Sequence, residues 1–244
     1  MLIAFISDIH GNFPALRAAV ADARKRGADR IYCAGDLVGY GPFPDQVCRF
    51  HSSERIPAIS GNYDAKALSM LADSEDLQVK MKPGKFKILR WTCSHISQSS
   101  RDFLSGLPAF HRETLLGNTE LLMVHGSPLS WEDTIYPSIT KDAMKNKLAG
   151  EHPDLLVCGH THIPFIKRLD GMTVINCGSA GQPVDGDPNP SYALVRIEKT
   201  GLYSCRIIRF SYPMKELLRA IRASSLPADL AENFETGVKK REKI

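Results

Sequence analysis

Short apolar runs and amphipathic stretches alternate along the first sixty residues. Leu2–Ile6 is continuously apolar, the pattern of a strand buried on both faces. Residues 12–26 place Leu16, Ala19, Val20 and Ala23 at helical spacing. Asn12 suits the N-cap of that helix, Pro14 its first turn and Gly27 its end. Residues 30–34 predict a second strand, 44–50 a short helix and 56–59 a third strand. This alternation predicts a mostly parallel, buried sheet.

The pattern then changes. Residues 64–71 and 86–104 read as helical, the latter in one piece or two. Strands dominate after that, over 111–115, 120–125, 155–158, 164–169, 172–175, 192–198 and 203–210, with one helix at 141–148. Asp170-Gly171 and Thr200-Gly201 are hairpin signals, so the late strands pair largely antiparallel. Residues 214–223 predict a closing helix. Beyond Leu226 the chain turns polar and charged, and a frayed tail is expected from about residue 235. There is no internal repeat or linker. One α/β domain over residues 1–244, with two mixed β-sheets flanked by helices, accounts for the pattern.

Composition narrows the class. The 244 residues are 43% hydrophobic and 24% charged, which excludes a disordered chain. No apolar run approaches the ~20 residues that cross a bilayer. The opening segment MLIAFISDIHGN has no basic stretch before its apolar run, so it reads as a strand, not a secretion signal, and the expected location is cytoplasmic. The six scattered cysteines form no C-x-x-C pair and are expected to be reduced. The net charge of +4 is mild, and no Lys/Arg cluster precedes Lys239-Lys240-Arg241, so a nucleic-acid partner is not expected. Nothing in the pattern specifies an oligomeric state.

Polar residues after the strands carry the chemistry. Asp8 and His10 follow the first strand, Gly35-Asp36 the second and Gly61-Asn62 the third. His125 ends a fourth, and Gly159-His160-Thr161-His162 follows a fifth. Sites in α/β sheets form beyond the carboxyl ends of strands. Imidazole nitrogen with carboxylate and amide oxygen suits first-row divalent ions: Mn is the first expectation, and Fe, Zn and Ni share the donor preference. The donors exceed the four of a single closed site. Two ions are therefore expected, at the ~3.5–4 Å spacing of two-metal hydrolases. No Ser or Cys nucleophile with a paired base is visible.

These segments, SDIHGN, GDLVGYGP, GNYD, VHGSP, GHTHIP and NCGSAGQPVDGDP, occur in the order seen in the calcineurin-like metallophosphoesterases. The chain resembles that family from Leu2 to about Phe210, most of all its small bacterial and archaeal phosphodiesterase branch. The resemblance implies a four-layer α/β/β/α sandwich. It implies that Asp8, His10 and His162 hold one metal, that Asn62, His125 and His160 hold the other, and that Asp36 bridges them. Asp36, Asn62, Tyr63 and His125 are the implied catalytic side chains. The implied reaction is hydrolysis of small phosphodiesters or phosphomonoesters by a metal-bridging hydroxide.

Two departures stand out. Many members carry His after the Gly-Asn pair, where this chain has Tyr63, a weaker acid with an unperturbed pKa of ~10 against ~6.5. The protein-phosphatase arm carries Asp-x-x-Asp-Arg-Gly, but here Asp36 is followed by Leu37-Val38-Gly39-Tyr40, and Val184 stands where relatives often have Arg. A Ser/Thr protein phosphatase is therefore disfavoured. The alternative reading is a weakly catalytic or non-catalytic protein-binding scaffold, the use made of this fold in the retromer subunit. Substrate choice is expected to lie in the loops 40–45, 77–86 (with Lys80, Lys82 and Lys85) and 128–139. Tyr40 fits either the cleft or packing against the glycine loop. Asn176, Gly178 and Ser179 fit either the site or a turn. Asp64 fits either a helix cap or a side chain that orients its neighbour. His51, His95, His111 and His152 are assigned to surface or packing.

Overall fold

The structure is a computed structural model that describes residues 1–73, 78, 81–201 and 203–238. The chain runs through β1 (Leu2–Ile6), α1 (Phe13–Lys25), β2 (Arg30–Cys33), α2 (Pro44–Glu54), α3 (Asn62–Ala72), α4 (Pro83–Ser94) and α5 (Gln98–Ser105). It continues through β3 (Phe110–Leu115), β4 (Thr119–Val124), α6 (Lys141–Lys147), β5 (Leu155–Cys158), β6 (Phe165–Leu169) and β7 (Met172–Asn176). It ends with β8 (Ser191–Ile197), β9 (Tyr203–Arg209), α7 (Met214–Ala223) and α8 (Asp229–Thr236).

Two mixed sheets result, ordered β2-β1-β8-β9 and β3-β4-β5-β7-β6. β1 pairs parallel with β2 and antiparallel with β8, while β5 lies parallel between β4 and β7. Strand periodicity explains the layering, because successive side chains point to opposite faces. Ile3 and Phe5 of β1 meet Leu121 and Met123 of β4 and Leu155 and Val157 of β5 in a core between the sheets. Leu2, Ala4 and Ile6 point the other way, onto Leu16 and Val20 of α1 and Leu217 and Ile221 of α7. Leu122, Val124, Leu156 and Val174 face out from the second sheet onto Met144 of α6. The four layers expected from the sequence are present.

Local chemistry sets the ends. The Asn12 side chain accepts from the Ala15 N–H at 3.1 Å, as an N-cap should. Asp170 and Gly171 both take positive φ between Leu169 and Met172, which pair across the β6–β7 hairpin. The long helix expected over 86–104 is two, because Ser97 leaves helical geometry and caps α5 through the Ser100 N–H.

Two expectations are corrected. Residues 56–59 form no strand: Pro57 has no N–H to donate, and pairing with β2 shrinks to one bridge between Cys33 and Ala58. The segment after Leu226 is not simply a polar tail, because α8 buries Leu230, Ala231 and Phe234 in the helical core of the first sheet. The expected fraying from about residue 235 falls largely on residues 239–244, which lie outside the described residues, as do Lys239, Lys240 and Arg241.

Candidate metal centre

The carboxyl ends of β1, β2, β4 and β5, with the start of α3, meet at the seam between the sheets. Backbone bonds hold the loops there: Asp8 N–H donates to Gly35 O (2.9 Å), His10 N–H to Asp36 O (2.9 Å) and Gly159 N–H to His125 O (3.0 Å). Asp8, His10, Asp36, His160 and His162 all take positive φ. L-residues rarely occupy that region, and such residues cluster at functional sites. Gly61 and Gly159 are required for a different reason. A Cβ on Gly61 would collide with the Asp36 backbone and carboxyl, and one on Gly159 with Ser7 and Asp8.

The donor atoms converge. Asp8, His10 and His162 form one group able to hold an ion, and Asp8, Asp36 and His125 form another. Asp36 Oδ2 lies 3.5 Å from His10 Nε2 and 3.4 Å from His125 Nε2, between the two. Asn62 Oδ1 faces His125 Nε2 at 3.0 Å and His160 Nδ1 at 3.2 Å. Every ligand expected from the sequence is therefore at this one seam, and Tyr63 packs edge-on against His10 with ring centroids 5.2 Å apart.

The donor set fits a cation, because its acceptors face one another. His10 Nδ1–H donates to Val38 O (3.1 Å), His125 Nδ1–H to Ala34 O (2.8 Å) and His162 Nδ1–H to Gln182 O (2.5 Å). Each bond fixes the tautomer that aims the Nε2 lone pair inward, the arrangement usual behind metal-bound histidine. His10 Nε2 and His162 Nε2 then face each other at 3.1 Å with no proton assigned between them. Asp8 Oδ2 accepts from the His160 N–H (3.0 Å), but the buried Oδ1 has no hydrogen-bond partner and lies 3.2 Å from His162 Nε2. The Asn62 amide oxygen likewise faces acceptors only. Lone pairs gathered this way repel unless positive charge lies among them.

Electrostatics agree. Burial opposes ionisation of Asp8, but His162, His125 and His10 hold its carboxyl well below the usual range. Burial likewise opposes ionisation of Asp36, and His125 and His10 bring it down. Burial pushes His10 down to about 4 in spite of Asp36. His125 rises to about 10, because Asp36 and Asp8 outweigh its burial. His125 thus carries positive charge between two carboxylates, where the donor atoms converge.

Several supporting residues carried little or no sequence signal. Asp64 does both jobs left open for it: Oδ2 accepts from Gly61 N–H (3.0 Å), and Oδ1 accepts from Leu37 (2.9 Å) and Val38 (3.1 Å). Asn176 donates to Gly159 O (2.6 Å) and Ser179 to Asp8 O (2.7 Å), so both brace ligand loops. Gln182 acts through its backbone carbonyl, which no residue identity encodes. His51 proves deeply buried and His95 stacks on Trp91. Beside the candidate ligands lies a cleft of about 270 Å³ lined by Tyr40, Tyr63, Lys85, Thr134, Tyr136 and Val184. Tyr40 thus reaches the cleft, and its hydroxyl contacts that of Tyr63.

A two-sheet α/β/β/α fold that gathers buried His, Asp and Asn donors at its strand ends defines a candidate metal-binding class. Residues 1–200 match the Calcineurin-like phosphoesterase superfamily domain, and the chain belongs to that family. "Uncharacterized protein MJ0912" of Methanocaldococcus jannaschii is 32% identical over 254 residues, spanning 97% of this chain and 98% of its own. "Phosphodiesterase YfcE" of Escherichia coli K12 is 24% identical over 199 residues, 80% of this chain and 87% of its own. The crystal structure of a metallophosphoesterase from Sphaerobacter thermophilus superposes with a TM-score of 0.78 at 27% identity, covering 98% of this chain and 100% of that one. Among the described residues no helix is long and apolar enough to cross a membrane.

Proposed function

We propose that the chain is a dinuclear metal-dependent phosphoesterase acting on small phosphodiesters, with phosphomonoesters as the weaker substrates. The observation that carries this reading is the set of buried acceptors aimed at one another: Asp8 Oδ1, the Nε2 atoms of His10, His125 and His162, and Asn62 Oδ1. Asp8, His10 and His162 would hold one ion, Asn62, His125 and His160 the other, with Asp36 shared. When bound, two divalent ions supply Lewis acidity, lowering the pKa of water and neutralising charge on phosphoryl oxygens. Mn is the first choice among Mn, Fe, Zn and Ni.

The chain's own residues do the rest. Backbone carbonyls of Val38, Ala34 and Gln182 hold the imidazoles in one tautomer and one orientation. Tyr63, which packs on His10 and lines the cleft, would donate a hydrogen bond toward a leaving oxygen. The cleft falls just below the ~300–1,000 Å³ usual for ligand pockets, which favours a small ester over a phosphoprotein. The phosphodiester preference is supported by the resemblance to a named phosphodiesterase. A cytoplasmic location belongs to the same reading and suits six free thiols.

The test is hydrolysis of bis-p-nitrophenyl phosphate against p-nitrophenyl phosphate. Metal-stripped protein is assayed with Mn, Fe, Zn or Ni added back, and Asp36→Asn is the control. Metal-dependent diester cleavage lost in the variant is the expected result. No cleavage with any metal, although metal binds, would move the scaffold reading ahead.

A further inference from the structure

Tyr40 and Val184 line the cleft at the two positions where the resemblance puts arginine in other members of the family. A lysine stands beside two other residues of the cleft, Asn62 and Tyr63. Lys66 lies one helical turn beyond Asn62 on α3, so both side chains share a face. Its Nζ is 3.1 Å from the outer atom of the Asn62 amide and 5.8 Å from the Tyr63 ring centroid. The ammonium is ion-paired with Glu132, from the 127–139 loop that also brings Thr134 and Tyr136 to the cleft. Lys85 lines the same cleft.

We infer that Lys66, at the edge of this cleft, is a phosphate-binding side chain and that Glu132 is its resting counter-ion, displaced by the anionic substrate. This rests on the phosphoesterase reading for the identity of the anion. Ligation through Asn62 Oδ1 turns the amide NH₂ toward Lys66, donor against donor, so the ammonium loses Asn62 as an acceptor. It is left with Glu132 and any anion that arrives. The Glu132 side chain is 63% exposed and that of Lys66 29%, so their pair is weak and exchangeable. A phosphate that also meets the metal ions competes well for the same ammonium.

The competing explanation is a brace, in which the Lys66–Glu132 pair only ties the loop to α3. The two differ in sign. Mn-loaded full-length protein is titrated with inorganic phosphate by calorimetry, and kcat and KM for bis-p-nitrophenyl phosphate are measured in parallel. The variants are Lys66→Gln, Lys66→Arg, Glu132→Gln and the Lys66→Gln/Glu132→Gln double variant, with metal content determined for each. Loss of one charge-assisted hydrogen bond corresponds to about tenfold or more. Lys66→Gln is expected to weaken phosphate by that factor and to raise KM more than it lowers kcat. Lys66→Arg retains binding, Glu132→Gln tightens it, and the double variant matches Lys66→Gln. Unchanged phosphate binding in Lys66→Gln overturns the inference. So does equal weakening by both single charge removals, the signature of a brace, or metal loss from Lys66→Gln, which would assign Lys66 to support of Asn62. Lys66-dependent phosphate binding without any hydrolysis would overturn the esterase reading and leave this inference standing.

Discussion

Asp8, His10, Asp36, His160 and His162 hold a left-handed backbone conformation that costs an L-residue roughly 1–2 kcal/mol. The return is position: each turn swings a donor atom off the end of its strand into the seam. Tyr63 is the departure with the most direct chemical consequence. Its hydroxyl meets that of Tyr40, and its ring packs on His10. A phenol is a poor proton donor near neutrality, and poor leaving groups need general-acid help most. Tyr63→His is therefore expected to raise kcat/KM for alkyl phosphodiesters about tenfold or more while changing aryl diesters little, a fraction of the ~10²–10⁴ that full general acid catalysis contributes. Equal effects on alkyl and aryl esters in steady-state assays would remove Tyr63 from that role.

Connections between elements explain why the residues stay in place. Asp64, in the first turn of α3, accepts three backbone N–H groups, from Gly61 of its own helix start and from Leu37 and Val38 of the loop after β2. Burial and the charge of Asp36 push its carboxyl up to about 7, against the pull of the Gly61 and Val38 donors and of His125. Asp64→Ala strands three buried donors, and at ~1–3 kcal/mol each a loss of roughly 3 kcal/mol or more is expected. Thermal melting should register it as a fall of about 6–12 °C for a chain of this length. Asp64→Asn keeps part of the acceptor set and should fall less. The candidate ligands were legible in the sequence because each stands just after an apolar run. Much of their support was not. Val38, Ala34 and Gln182 contribute carbonyl oxygens, which any residue has, and Lys66 lies mid-helix where a lysine is an ordinary surface choice. Pro57 hid in an apolar run that looked like a strand. The buried face of α8, Leu230 and Phe234, was masked by the charged residues around it.

At the scale of the molecule, the site joins the two sheets. His125 of the second sheet donates to Ala34 of the first, and the His160 N–H donates to Asp8, so the metal seam is also an inter-sheet contact. The helical layer behind the first sheet carries a different weakness. His51 of α2 is 1% exposed, neither ring nitrogen has a hydrogen-bond partner, and α2 packs against α1 and α5. Burial pushes its pKa down to about 4. The unfolded chain binds this proton near pH 6.5 and the folded chain near pH 4, so between those values the unfolded state holds more protons. Stability must then rise with pH across the window: it is fully present above about pH 6.5 and lost progressively as pH falls toward 4. At 1.36 kcal/mol per unit the loss amounts to about 3 kcal/mol. Urea unfolding of metal-stripped wild type and His51→Leu from pH 7.5 to 4 isolates it, because His10 and the other ligands titrate in both proteins. The variant removes two unsatisfied nitrogens and should be at least as stable at pH 7.5. Its acid limb should be shallower by that amount, and parallel limbs would show that the protonation of His51 plays no part in acid unfolding.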